Sequence, residues 1–151
     1  MQMAFSEPLT LENKWAGAIS RLPTSCDYTI EMQARVLSNQ NHGGGYGIAS
    51  GSLDADSLPR GPAFQYDFGF SGYRVLAYPN DFAQPAGSSE QATLNDNWHT
   101  LKIVVSGGIT AYVDGSYALQ TASQDSCGRP MIRVWSATVQ FRNIKIRQGK
   151  S

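Results

Sequence analysis

The sequence predicts an all-β protein, a two-sheet antiparallel β-sandwich, and three observations carry that prediction. From Trp98 onward apolar and polar residues alternate strictly, as in Thr100-Leu101-Lys102-Ile103-Val104-Val105 and Val139-Gln140-Phe141-Arg142. Such a period of two is the mark of half-buried strands. Glycine turns, Ser106-Gly107-Gly108 and Asp114-Gly115, interrupt the alternation at hairpin spacing. Finally, each strand offers only one apolar face, so two sheets must pack together to hide them.

The elements follow in order. Residues 9–18 read as an irregular strand or a single helical turn. Residues 28–37 alternate cleanly, with Ile30, Met32, Ala34 and Val36 on one face and Glu31, Gln33 and Arg35 on the other. A Gly-rich loop over 39–45 leads to a short strand at 46–50, then to a polar excursion over 51–62. Residues 63–68 and 73–78 form a hairpin around Gly69-Phe70-Ser71-Gly72. A second polar loop, 79–97, is expected at the rim. Strands at 99–105, 109–113, 131–135 and 139–147 complete the set, and no long helix is expected. By length, residues 1–151 read as one β-sandwich domain.

Composition narrows the function classes. Acidic and basic residues balance at 12 each, and the Lys and Arg are scattered along the chain. A polyanion partner, nucleic acid above all, is therefore not expected. No apolar run approaches the roughly 18 residues that span a bilayer, so no membrane insertion of this domain is expected. The start, Met1-Gln2-Met3-Ala4-Phe5, lacks the basic and apolar segments of a signal peptide. That points to a domain excised from a longer protein whose export signal or anchor lies elsewhere.

Two cysteines, Cys26 and Cys127, both sit in polar, turn-like settings. Their even number and placement favour one disulfide between the early and late parts of the chain, and with it an extracellular or extracytoplasmic location. Closing so long a loop is worth about 4 kcal/mol on the chain-entropy account. The competing reading is two unrelated thiols in a cytosolic protein.

The carboxy-terminal third carries a family likeness. Trp98 ahead of an alternating strand, Asp114-Gly115 after the next, and Phe141-Arg142-Asn143-Ile144 in the last together resemble the concanavalin A-like jelly-roll superfamily. Within it the likeness is to the 3-keto-glycoside hydrolase-like sandwiches, laminin-G-like domains and carbohydrate-binding modules. As a strand pattern it covers residues 28–147. It implies a jelly roll with a concave face for ligand. The chain departs from the hydrolase-like members in the strand before Phe141: Arg133 and Trp135 stand where those carry Gln and His. The Glu-x-Asp-x-x-Glu run of laminarinase-type relatives is missing. Trp98 is expected to pack at a sandwich corner, Asp114-Gly115 to form a hairpin turn, and Asn143 to bridge strand-edge backbone groups.

Catalytic constellations are mostly absent from the sequence. Glycoside hydrolysis needs two carboxyl groups held about 5 to 9.5 Å apart. Asp54 and Asp56 share a loop, and Asp67 on its strand has no carboxylate neighbour in sequence. His42 and His99 have no nucleophile elbow to serve, and with Cys26 and Cys127 they are too dispersed to signal zinc. No metal site or cofactor is therefore assigned. Calcium is the one cation the loops leave open, through Asp54, Asp56, Asp81 and Asp96, without a recognisable binding loop.

Sugars present hydroxyl groups around weakly apolar ring faces, so their sites combine an aromatic surface with planar polar groups. The face opposite the expected core supplies them: Gln65, Asp67, Arg74, Tyr78, Arg133 and Trp135. If their three strands are neighbours, Trp135 offers a stacking surface while Asp67 and the arginines bond hydroxyls or a carboxylate. The expected function is a non-catalytic carbohydrate-binding or glycan-sensing module, with carbohydrate as partner. The alternatives are a laminin-G-like domain holding a protein partner or adjoining domain, and a glycoside-acting hydrolase.

Overall fold

Alternating burial over the middle of β4 (Asp27–Asn39) and along β13 (Ala137–Gln148) on either side of one interruption fixes which way their sheet faces. The structure, a computed structural model, describes residues 2–5, 9–12, 15–16, 26–39, 43–51, 61–69, 72–78, 87–91, 97–121 and 129–149. Among these the regular structure is entirely strand. One sheet runs β1 (Gln2–Phe5), β13 (Ala137–Gln148), β4 (Asp27–Asn39), β9 (His99–Ser106), β10 (Ile109–Val113) and β11 (Ser116–Gln120), with β2 (Leu9–Glu12) also paired to β13. The other runs β3 (Trp15–Ala16), β12 (Arg129–Trp135), β5 (Gly45–Gly51), β6 (Gly61–Asp67), β7 (Gly72–Tyr78) and β8 (Gly87–Gln91). The pairings are antiparallel, and the fold is a two-sheet β-sandwich, as expected.

The core lies between the sheets. Ile30, Met32, Leu101, Ile103, Val139 and Phe141 come from the first sheet, and Tyr46, Ile48, Phe64, Val75, Ile132 and Val134 from the second. Tyr46 meets Phe141 edge to face across the gap, with ring centroids 6.0 Å apart. The hydroxyls of Tyr46 and Tyr73 lie 3.4 Å from each other inside the core. Burial pushes the Tyr73 phenol up to about 12 and raises Tyr46 well above its ordinary value.

Several expectations are sharpened. Residues 9–18 contribute two short strands, β2 and β3, rather than a helical turn. The rim loop 79–97 contains a sheet strand, β8, whose polar sequence Gly-Ser-Ser-Glu-Gln gives no alternation to read. Asp114 and Gly115 both have positive φ (51° and 83°), the hairpin conformation that Asp-Gly is suited to. The Asp114 carboxylate also accepts the Thr100 amide at 2.8 Å and meets His99 Nδ1 at 2.7 Å, tying the turn to β9.

Asn143 does something other than bridge backbone groups. It sits at φ 53°, where the β13–β4 register slips between Arg142 and Lys145, and its amide donates to Gln33 Oε1 at 2.9 Å. The extra residue is a β-bulge, which resets the alternation. Arg142, Lys145 and Arg147 thereby share the outer face, while Ile144 and Ile146 stay buried. Trp98, half-buried, lies beneath two guanidiniums, with the Arg142 and Arg35 Cζ atoms 3.9 and 4.9 Å from its ring centroid.

Candidate functional site

The site face is fixed by elimination. In β5, β6, β7 and β12 the residues Tyr46, Ile48, Phe64, Tyr66, Tyr73, Val75, Ile132 and Val134 are in the core. The alternate residues must therefore stand on the opposite face of that sheet. Cross-strand register then lays them in two rows. One runs Trp15, Arg133, Gly47, Gln65, Arg74, Ser88. The neighbouring row runs Trp135, Gly45, Asp67, Gly72, Gln91.

The three strands expected to be neighbours are not all adjacent. β6 and β7 pair, but β5 lies between β12 and β6. The reason is topological: the fold inserts the short strand after the Gly-rich loop into the middle of the sheet. The sequence had offered no function for that strand's glycines. In both rows its contribution to the face is a glycine, Gly47 in one and Gly45 in the other. A bare floor thus separates Arg133 and Trp135 from Gln65, Asp67 and Arg74.

That floor is required by packing. A Cβ at Gly45 would collide with the six-membered ring of Trp135 and with the Tyr66 carbonyl, so the indole edge lies against the β5 backbone. A Cβ at Gly47 would strike the Phe64 carbonyl and stand 2.7 Å from the Gln65 Cβ. The pattern Gly45-Tyr46-Gly47-Ile48 was a readable signal, since alternate glycines against alternate core residues leave one face of a strand bare.

Asp67 is the hub of the polar side. Its Oδ2 accepts the Arg74 guanidinium at 2.6 Å and its Oδ1 accepts the Gly69 amide at 3.0 Å. With only 14% of its side chain exposed, this pair is better protected from solvent than an ordinary surface ion pair. Across the floor the Arg133 guanidinium lies 4.2 Å from the Trp135 ring centroid, a cation–π geometry. Burial pushes Arg133 down to about 10, and the Asp67 charge partly opposes that shift, which couples the two sides of the trough.

Each expected residue can now be placed. Asp67, Arg74, Arg133 and Trp135 are partly exposed on this face. Gln65 is only 2% exposed, so it forms part of the floor instead of standing up as a contact. Arg133 occupies one face of Trp135, so the indole is a less open stacking surface than expected. Tyr78 ends β7 opposite Gly61, and its side chain lies outside the described residues. So do the loop acids Asp54, Asp56, Asp81 and Asp96. Among the described residues no three His, Cys, Asp or Glu gather as a metal site. Cys26 is not a free thiol, and Cys127, its expected partner, lies outside the described residues. No helix among them is long and apolar enough to cross a membrane.

The arrangement is suited to holding a polar, ring-shaped molecule. Arginine forks and a carboxylate are preset beside the β5 glycines, one of which the Trp135 ring already covers, and such preorganisation lowers the entropy lost on binding.

No protein-family profile matches the chain, and no curated protein matches it in sequence. Solved structures do match its fold. The carbohydrate-binding module CBM66 from Bacillus subtilis superposes with a TM-score of 0.68 at 20% identity, over 93% of this chain and 96% of that one. A Bacillus subtilis protein of unknown function with a galectin-like fold gives 0.65 at 10% identity, over 98% and 88%. The alginate lyase AlgAT5 of polysaccharide lyase family 7 gives 0.55 at 13% identity, over 82% and 59%.

Proposed function

We propose that this protein is a non-catalytic carbohydrate-binding module whose site is the glycine-floored trough between Arg133–Trp135 and Asp67–Arg74. The observation that carries the proposal is the trough itself: two strand rows, each bare at β5, flanked by an Arg–Asp pair and an Arg–Trp stack. Sugar hydroxyls both donate and accept, and this face offers guanidinium donors and a carboxylate acceptor within one ring's width of each other. The likeness to a carbohydrate-binding module over nearly the whole of both chains supports the same reading.

A hydrolytic or lyase activity is the second reading, favoured by the shared fold of an alginate lyase. Among the described residues the trough carries a single carboxylate, Asp67, and a glycosidase needs two flanking the bond. As part of this proposal, residues 1–151 act as one domain in an oxidising, extracytoplasmic setting, with Cys26 bridged to Cys127.

A glycan array followed by calorimetry on the hits tests the function. Binding should fall at least tenfold in Asp67→Ala and in Arg133→Ala while the folded circular dichroism spectrum is kept. Release of reducing or unsaturated sugar ends would transfer the trough to the enzymatic reading. The absence of any glycan ligand across neutral and acidic arrays would remove both.

A further inference from the structure

The Lys and Arg that look scattered along the chain are gathered by register onto the opposite surface, the outer face of the first sheet. Arg142, Lys145 and Arg147 reach it from β13 through the Asn143 bulge, Arg35 from β4 and Lys102 from β9. Among the described residues the carboxylates that β4 sets on this face are Glu31 and, at the strand's start, Asp27, which accepts the Ser106 hydroxyl. One row crosses five strands as Lys145, Glu31, Lys102, Tyr112, Tyr117. At about 4.8 Å per strand it spans ~19 Å.

Two features make this more than a solvated face. First, none of these five cations has a carboxylate partner among the described residues. Arg35 and Arg142 donate to the amide oxygens of Gln140 and Gln33, and Lys102, Lys145 and Arg147 are in no ion pair, even with Glu31 between the two lysines. Second, the row is concave. One small hollow is lined by Thr29, Glu31, Lys102, Lys145 and Arg147. Next to it, sharing Glu31 and Lys102, is a hollow of about 410 Å³ walled by Thr100, Tyr112 and Gly115. Lys102 lies 5.9 Å over the Tyr112 ring, and Tyr112 packs edge to face with the 62% exposed Tyr117.

We infer that this face is a second binding surface, for an acidic polysaccharide, separate from the trough. Cations outside any ion pair, two strands apart across the sheet at Lys145 and Lys102 and two residues apart along β13 at Lys145 and Arg147, suit sulfate or carboxylate groups repeating along a chain. The tyrosines offer apolar faces to sugar rings. Glu31 selects for a glycan: set between Lys145 and Lys102, it accepts hydroxyl hydrogen bonds, which sugars supply and a continuous phosphate backbone does not. The neutral net charge of the whole chain hides this face, because most of the balancing acids lie elsewhere.

The probes are dextran sulfate, polygalacturonate and neutral dextran, with a single-stranded DNA oligonucleotide as the competing polyanion. Binding is read by calorimetry at low salt and again at physiological salt. Dextran sulfate or polygalacturonate should bind and dextran should not, and whichever binds identifies the acid group. With three ion contacts, log Kd should rise with log salt at a slope of about 2, taking ~0.7 per contact as for single-stranded polyanions. The triple variant Lys102→Glu/Lys145→Glu/Arg147→Glu should lose at least tenfold in affinity. The milder Lys145→Ser/Arg147→Ser variant, which alters only exposed positions, should lose about threefold and retain its melting temperature. Arg133→Ala should bind acidic polymer unchanged, so failure of the trough reading and failure of this one are separable. Equal affinity for the oligonucleotide, no acidic-polymer binding at low salt, or acidic-polymer binding that survives the triple variant would each overturn the inference.

Discussion

Replacing Gly45 by alanine asks whether the trough floor must be bare. Gly45 is not among the positive-φ residues, so alanine can adopt its backbone conformation. On backbone grounds alone the substitution should stabilise the fold by about 0.4–1 kcal/mol, because the unfolded chain loses freedom. The packing argues the reverse. The new Cβ would fall well inside 3.0 Å of the Trp135 ring and of the Tyr66 carbonyl, and the carbonyl belongs to the neighbouring strand and cannot swing aside. Overpacking of this kind costs about 1–3 kcal/mol. The clash therefore outweighs the entropic gain, for a net loss of about 1–2 kcal/mol and a fall in Tm of about 3–6 °C in a chain of this size. Displacing Trp135 also unseats Arg133, so glycan affinity should drop with stability. Scanning calorimetry of Gly45→Ala, Trp135→Leu and the double variant measures the coupling. The double variant should recover part of the loss and leave the Tyr66 component. A Gly45→Ala protein that melts higher than the parent and binds equally well would refute the floor and the seat of Trp135 with it.

Other consequences follow from particular contacts. Truncating Asp67 to alanine removes a 2.6 Å charged hydrogen bond from Arg74 and the charge that opposes the desolvation of Arg133; the expected cost is about 2 kcal/mol. A double-mutant cycle with Arg74→Ala should show at least about 1 kcal/mol of coupling, and a value near zero would reduce the pair to surface decoration. Asn143→Ala forces a Cβ-bearing residue without a compensating amide into φ 53°, and should lose about 1–2 kcal/mol in urea titration. Asn143→Gly should lose less, since only the side-chain bond to Gln33 goes. In alkali, Tyr73 holds its proton in the folded state up to about 12, whereas the unfolded chain gives it up near 10. This contribution is whole below pH 10 and is lost as pH rises toward 12, an effect of about 3 kcal/mol for Tyr73. Arg133, lowered to about 10, acts with the opposite sign over that range. The test therefore compares the parent with Tyr73→Phe, which share Arg133, and the variant should show the shallower fall of Tm between pH 9.5 and 11.5.

The strands that could be read directly were those whose sequence shows its burial. Residues 28–37, 63–68, 73–78 and 99–105 alternate because one face of each is core, and burial follows that alternation over 30–36 and 100–105 but not over 63–66, where all four residues are buried. Polar edge strands left no such trace: β8 is Gly-Ser-Ser-Glu-Gln and is held by backbone pairing to β7. The Asp114-Gly115 turn was legible because local sterics alone select it. Gln65 was misjudged as an exposed contact because alternation tells which face a residue takes and says nothing of how its neighbours cover it.

Local pattern was sufficient for the alternating strands and the facing of their side chains, since each depends on a residue and its near neighbours in the chain. Strand order is a property of contacts between distant segments, and it put β5 and its two glycines between β12 and β6. Summed charge shows a neutral chain of dispersed cations. Cross-strand register, shifted by the bulge at Asn143, draws five of them onto one surface.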